Sequence, residues 1–168
     1  LFEAIIFYTF AAIAIISGSL VVICRNPINS ALSLVVTFFC LAVFYVMLDA
    51  PFLAAVQIMV YAGAIMVLII FVIMLLNIQS ETRKRAAHSM VIGGIVGGAI
   101  LLETCWMLTS GRISEFRGPM SRALIIKEGH TELIGAAMFG DFLLPFEITS
   151  LLLLAAIIGA VILAKKKI

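Results

Sequence analysis

Groups that carry chemistry are scarce in this sequence. Its 168 residues include two histidines and three cysteines, and only 12% are Asp, Glu, Lys or Arg. His88 and His130 fall in separate loops, neither accompanied by ligands at metal spacing. Cys24, Cys40 and Cys105 are scattered over three helices or helix ends with no C-x-x-C pair, so they read as small apolar residues. No serine is placed to converge with a histidine and a carboxylate, which argues against a catalytic centre on this chain alone. The run "GGIVGG", Gly93 to Gly98, lies within an apolar stretch rather than after a strand, which excludes a phosphate-binding loop.

What fills the sequence instead is apolar. Hydrophobic residues make up 64% of the chain and the mean hydropathy is +1.27, far beyond an ordinary soluble domain. Crossing a hydrocarbon core of about 30 Å takes roughly 20 apolar helical residues. Five stretches meet or approach that length: Ala4–Ile23, Ile28–Leu48, Phe52–Leu76, Met90–Ser110 and Ile148–Ala164, the last extended at the interface by Phe142–Phe146. The first lacks a basic n-region and is read as a retained helix, not a signal peptide. All are continuously apolar and too long for barrel strands, so the expected fold is all-α, a single polytopic domain over residues 1–168 with five transmembrane helices.

Placement of Lys and Arg sets the expected orientation. One side receives Arg25, Arg83-Lys84-Arg85 and Lys165-Lys166-Lys167; the other receives Arg112, Arg117, Arg122 and Lys127, all in the long loop 111–146. The first side is therefore cytoplasmic, with the N-terminus outside and the C-terminus inside. Asp49, Glu115, Glu128, Glu132, Asp141 and Glu147 all fall outside. The net charge of +2 is thus a topology signal directed at the lipid bilayer and does not suggest a nucleic-acid partner.

Glu103 is the one charge clearly inside a span, two turns from the outer end of the fourth helix. It reads either as a solvated or paired carboxylate or as a member of a proton path. An autonomous pump would place charges near the midplane of several helices, and their lack argues against a stand-alone transporter. Gly93/Gly97 and Gly94/Gly98 form two overlapping G-x-x-x-G pairs, suited to close approach of another helix.

In the third helix, Tyr61 and Gly63 lie near mid-membrane, away from the belt where tyrosines anchor. The tyrosine hydroxyl needs a partner there. Gln57, one turn earlier, extends a polar stripe outward, and Met59, Gly63 and Met66 form a second stripe of soft and small side chains. Two readings stay open: close packing of a neighbouring helix at Gly63, or an adjustable helix in which Gly63 eases a π-bulge. At the start of the last helix, Pro145 suits a first-turn position and Glu147 is expected to sit at the helix's positive end.

The stretch "VQIMVYAGAIMVLIIFVIMLLN" resembles, almost residue for residue, the third helix of the J-subunit family of bacterial respiratory complex I, which includes subunit 6 of mitochondrial NADH dehydrogenase. "RNPINSAL", Arg25 to Leu32, resembles the family's turn between its first two helices, and "LLPFEITSLLLLAAIIGAVILAKKK", Leu143 to Lys167, its last helix. The likeness covers Leu20–Leu76 and Gly135–Lys167; Glu81–Thr131 agrees only in helix placement.

The resemblance implies a membrane-arm subunit of a proton-translocating NADH:quinone oxidoreductase in the bacterial cytoplasmic membrane. It implies partners among the quinone-site, K-type and antiporter-like subunits, with FMN, iron–sulfur clusters, NADH and quinone bound by other chains and no cofactor or metal on this one. It further implies a π-bulge over Val60, Tyr61, Ala62, Gly63, Ala64, Ile65 and Met66 whose switching gates a water path from the quinone cavity; Gln57 and Glu103 are candidate polar members of such a path by their own placement in the spans, not by the resemblance. Glu103 is not part of the family pattern. The competing readings are the equivalent subunit of a membrane-bound hydrogenase or of a dehydrogenase with another electron donor, and a purely structural scaffold.

Overall fold

The computed structural model describes residues 1–76, 87–110 and 122–165. The basic triplet Arg83–Arg85 and residues Arg112, Glu115, Arg117, Lys166 and Lys167, on which most of the orientation argument rests, lie outside the described residues. Five helices are long and apolar enough to cross a membrane: Phe2–Ile23, Pro27–Met47, Pro51–Leu75, Gly93–Ser110 and Leu143–Ala164. Among the described residues there is no strand.

The first two spans are α1 (Phe2–Ile23) and α2 (Pro27–Met47). The third is built of α3 (Pro51–Val56), a segment of wider π turns (Gln57–Ile65) and α4 (Met66–Leu75). The fourth lies within α5 (Ala87–Ser110); α6 (Arg122–Glu128) and α7 (His130–Phe139) are short, and α8 (Leu143–Ala164) is the fifth span. The long segment between the fourth and fifth spans therefore carries two helices of its own. The fifth span begins at Leu143, where Pro145 fits the first turn because its missing N–H would have no helical partner there. Glu147 consequently falls beyond the first turn, which holds no acidic residue, so the reading of Glu147 as a charge on the helix's positive end is corrected: that attraction fades within one turn.

The turns that set the core follow from local chemistry. Asn26 caps α2, its side-chain oxygen accepting the Ile28 N–H at 2.9 Å, and Pro27 takes the first helical position. At the other end Asp49 adopts a left-handed φ of 58°; the Ala50 N–H donates to the Tyr45 carbonyl at 2.9 Å and the Asp49 N–H to Val46 at 3.1 Å. This pair of bonds is a Schellman closure, formed here on aspartate rather than glycine. Pro51 then starts α3. With so short a link the chain must reverse, and α2 lies antiparallel to the third span.

The core is centred on α2, which packs on α1 and on all three parts of the third span. The α1–α2 crossing is fastened by hydroxyls: Ser17, 5% exposed, meets Thr37 at 2.8 Å, and the Ser30 hydroxyl donates to the Val21 carbonyl at 2.6 Å. Such groups replace the hydrophobic driving force that helices lack in lipid. Most of the other buried residues are small, Ala31, Cys40, Ala42, Ala54 and Ala62, which lets the backbones approach. The short helix α7 touches α3 and α8, with Phe139 edge-on to Phe146 at 5.0 Å. Among the described residues α5 packs on no other helix, and α8 packs only on α7.

Candidate functional site

The third span changes its hydrogen-bond spacing partway along. The Gln57 N–H still reaches the Leu53 carbonyl, four residues back, whereas the Met66 N–H reaches Tyr61, five back. Between them the chain runs as a π-helix over Gln57–Ile65, beginning three residues before Val60. Such wide turns are rare and tend to occur where a helix does something besides pack. Gly63 sits where a side chain would be crowded: a Cβ there would lie 3.1 Å from the Ile58 carbonyl oxygen, one wide turn back.

Burial along the span measures what the wide turns do. The buried positions are Ala54, Gln57, Ala62 and Met66, all on the element that packs against α2. At about 100° per residue, a regular helix would carry Met66 roughly 120° away from Ala54 and bring Ile65 to within about 20° of it. The π turns reverse that choice: Met66 is 2% exposed and Ile65 is 41% exposed. The stripe expected from Met59, Gly63 and Met66 is thereby broken, because Met59 is 73% exposed while Met66 is buried. Regular-helix periodicity put them on one face; one extra residue in the turn separates them.

The polar stripe from Gln57 to Tyr61 is divided in the same way. Gln57 is buried, but Tyr61 is nearly half exposed and leans edge-on against Phe38 of α2, ring centroids 5.8 Å apart. Its hydroxyl makes no hydrogen bond to a described residue, so its partner must come from outside these helices. Phe38 escaped the sequence reading because its role depends on the antiparallel register of two helices, which no local pattern records.

The remaining candidates lie apart from this site. Glu103 is exposed on α5, which the structure does not bring to the third span among the described residues. Gly93, Gly94, Gly97 and Gly98 face open space, with no atom of another described element within 4 Å of where their Cβ atoms would be. Among the described residues no helix uses their G-x-x-x-G spacing. The cysteines do not fit an iron–sulfur cluster: Cys24 ends α1, Cys40 is buried within α2 and Cys105 is exposed on α5. Among the described residues no three His, Cys, Asp or Glu side chains gather as a ligand set.

The sequence profile of the family described as NADH-ubiquinone/plastoquinone oxidoreductase chain 6 matches residues 17–163. Among similar proteins, NAD(P)H-quinone oxidoreductase chain 6 of Leptolyngbya boryana is 36% identical over 98% of this chain and 81% of its own length. NADH-ubiquinone oxidoreductase chain 6 of Prototheca wickerhamii is 32% identical over 96% of this chain and 86% of its own. NADH-quinone oxidoreductase subunit J of Rhodobacter capsulatus is 32% identical over 94% and 79%.

Proposed function

Since the chain belongs to the NADH-ubiquinone/plastoquinone oxidoreductase chain 6 family, and is a multi-pass membrane subunit of that kind of complex, we propose that its own contribution is to gate a water path near the quinone cavity through the third span. The observation that carries this reading is the buried sequence Ala54, Gln57, Ala62, Met66, which only wide turns can align. Two registers are available to such a segment. In the wide one, Ala62 and Met66 face α2. In the regular one Tyr61, seven positions after Ala54, returns to Ala54's face within about 20°, and Ile65 replaces Met66.

The exchange alters polarity as well as shape. It turns a phenolic hydroxyl into line with Gln57, at the i,i+4 spacing where helical side chains meet, and withdraws a methionine from the seam. Water that can bond to one arrangement has no place in the other, so a small difference in helix energy is converted into an open or closed path. This chain's residues transfer no electrons in this scheme. Flavin, iron–sulfur clusters, NADH and quinone are assigned to other subunits, where they supply the redox chemistry. The relatives' names are divided between NADH and NAD(P)H, so the electron donor is settled by assaying both with the purified complex.

The membrane in question is proposed to be the bacterial cytoplasmic membrane, with this subunit among quinone-site, K-type and antiporter-like neighbours. The test is structural. The assembled complex, imaged at rest and during turnover, should show Met66 against α2 in one population and Ile65 in another. Identical third-helix geometry in every population would remove the switch and leave a scaffold subunit.

A further inference from the structure

Glu103 places a carboxylate inside a membrane span and on a side of α5 that no described residue covers. It stands seven residues, about 10 Å of helix rise, short of Ser110, where the fourth span ends. A carboxylate on two methylenes lacks the reach with which Lys and Arg return their charges to the interface. Its neighbours one turn away along α5 are Ala99, Ile100, Trp106 and Met107, of which the last three are 60%, 68% and 69% exposed. Glu103 forms no ion pair or hydrogen bond with a described residue.

The side of α5 that carries Glu103 is not the side of its glycines. At about 100° per residue, Glu103 stands opposite Gly94 and roughly 150° round the helix from the middle of the patch formed by Gly93, Gly94, Gly97 and Gly98. A helix drawn close by those glycines therefore cannot also cover Glu103. The carboxylate side is a separate surface, apolar around one negative charge. A hydroxyl or a carboxamide would bond to the carboxylate but leave its charge in the membrane, whereas Lys or Arg both donates to it and neutralises it.

We infer that the Glu103 side of α5 docks a membrane-spanning helix of another subunit that carries a Lys or Arg at this depth, and that Glu103 pairs with it. Each charge is costly in the membrane alone and compensated only when the two subunits are together, so the pair fixes the depth and rotation at which α5 enters the complex. The inference uses the chain's place in a complex of several subunits and is independent of the third-span switch.

The test is Glu103→Gln, nearly the same in shape but uncharged, in the intact complex. Removing a lone carboxylate from a span leaves the complex as resistant to dissociation as before or more so, whereas removing one member of a pair strands the other charge and weakens it. The expected result is loss of the intact complex on native gels at a detergent concentration that the wild type survives, with recovery when the facing Lys or Arg is neutralised as well. Imaging of the wild-type complex should show a Lys or Arg nitrogen of another subunit within about 4 Å of the Glu103 carboxylate. Only lipid, water or an uncharged side chain at that place, a basic residue of this chain such as Arg112 there, or a Glu103→Gln complex as resistant as wild type would each overturn the inference. So would an equally resistant Glu103→Gln complex that has lost pumping alone, which would assign Glu103 to a proton path. Should Glu103→Gln fail to assemble, the wild-type map decides by itself. A third span of unchanging geometry would sink the switch and leave this pair standing.

Discussion

Gly63→Ala isolates the energetic content of the wide turns. An added Cβ would lie 3.1 Å from the Ile58 carbonyl oxygen, closer than carbon and oxygen normally sit, so the turn must open slightly. The loss of backbone freedom that accompanies Gly→Ala applies to both registers, since both hold residue 63 in a helical conformation, and therefore cancels. What remains is crowding that only the wide register suffers. Relieving it by bending one bond angle by ~7° costs about 1 kcal/mol, a roughly fivefold shift toward the regular helix. Gly63→Val adds two γ carbons with a confined χ1 and should shift the balance further.

The assay compares three activities of the assembled enzyme: NADH oxidation by an artificial acceptor, quinone reduction and proton pumping. The first should survive, and the second and third should fall together. Gly18→Ala on α1 is the control, because nothing lies within 4 Å of a Cβ at Gly18. An assembled Gly63→Ala enzyme with the wild-type share of wide turns and normal pumping would refute the reasoning and return Gly63 to a packing role.

Three further outcomes are expected. Thr37→Val removes the 2.8 Å contact with Ser17 but leaves Ser17 its 3.2 Å bond to the Ala14 carbonyl, so the complex should lose about 0.6 kcal/mol of stability, read as a small drop in its thermal midpoint; failure to assemble would show that the pair does more than fasten α1 to α2. At Gly97 an added Cβ meets no other element among the described residues, so for Gly97→Leu loss of the intact complex on native gels would report a foreign helix at that face, whereas normal assembly with selectively lost pumping would make it a functional glycine. Single cysteines at Ser80 and Ser121 should be labelled from opposite sides of the membrane; labelling of both from one side would refute the orientation drawn from the basic residues.

Composition and local pattern by themselves determined the five apolar helices, because a backbone in lipid must satisfy its own hydrogen bonds and a spanning helix must be about as long as the hydrocarbon is thick. The Asn26-Pro27 start of α2 is equally local, as is the proline that opens α3. The fifth span was legible from its apolar run, Ile148–Ala164, together with the interfacial extension Phe142–Phe146, and the helix begins at Leu143. The third span was not fully legible. Tyr61 and Gly63 marked the place, and the family resemblance suggested a bulge, but residue pattern could not say that Ala62 and Met66, rather than Tyr61 and Ile65, would face α2. Bonding to the fourth or the fifth residue back uses nearly the same backbone conformation and leaves the sequence unchanged. The choice is made by which side chains fit against α2, where alanines and one methionine fill the seam and the Tyr61 ring is left beside Phe38.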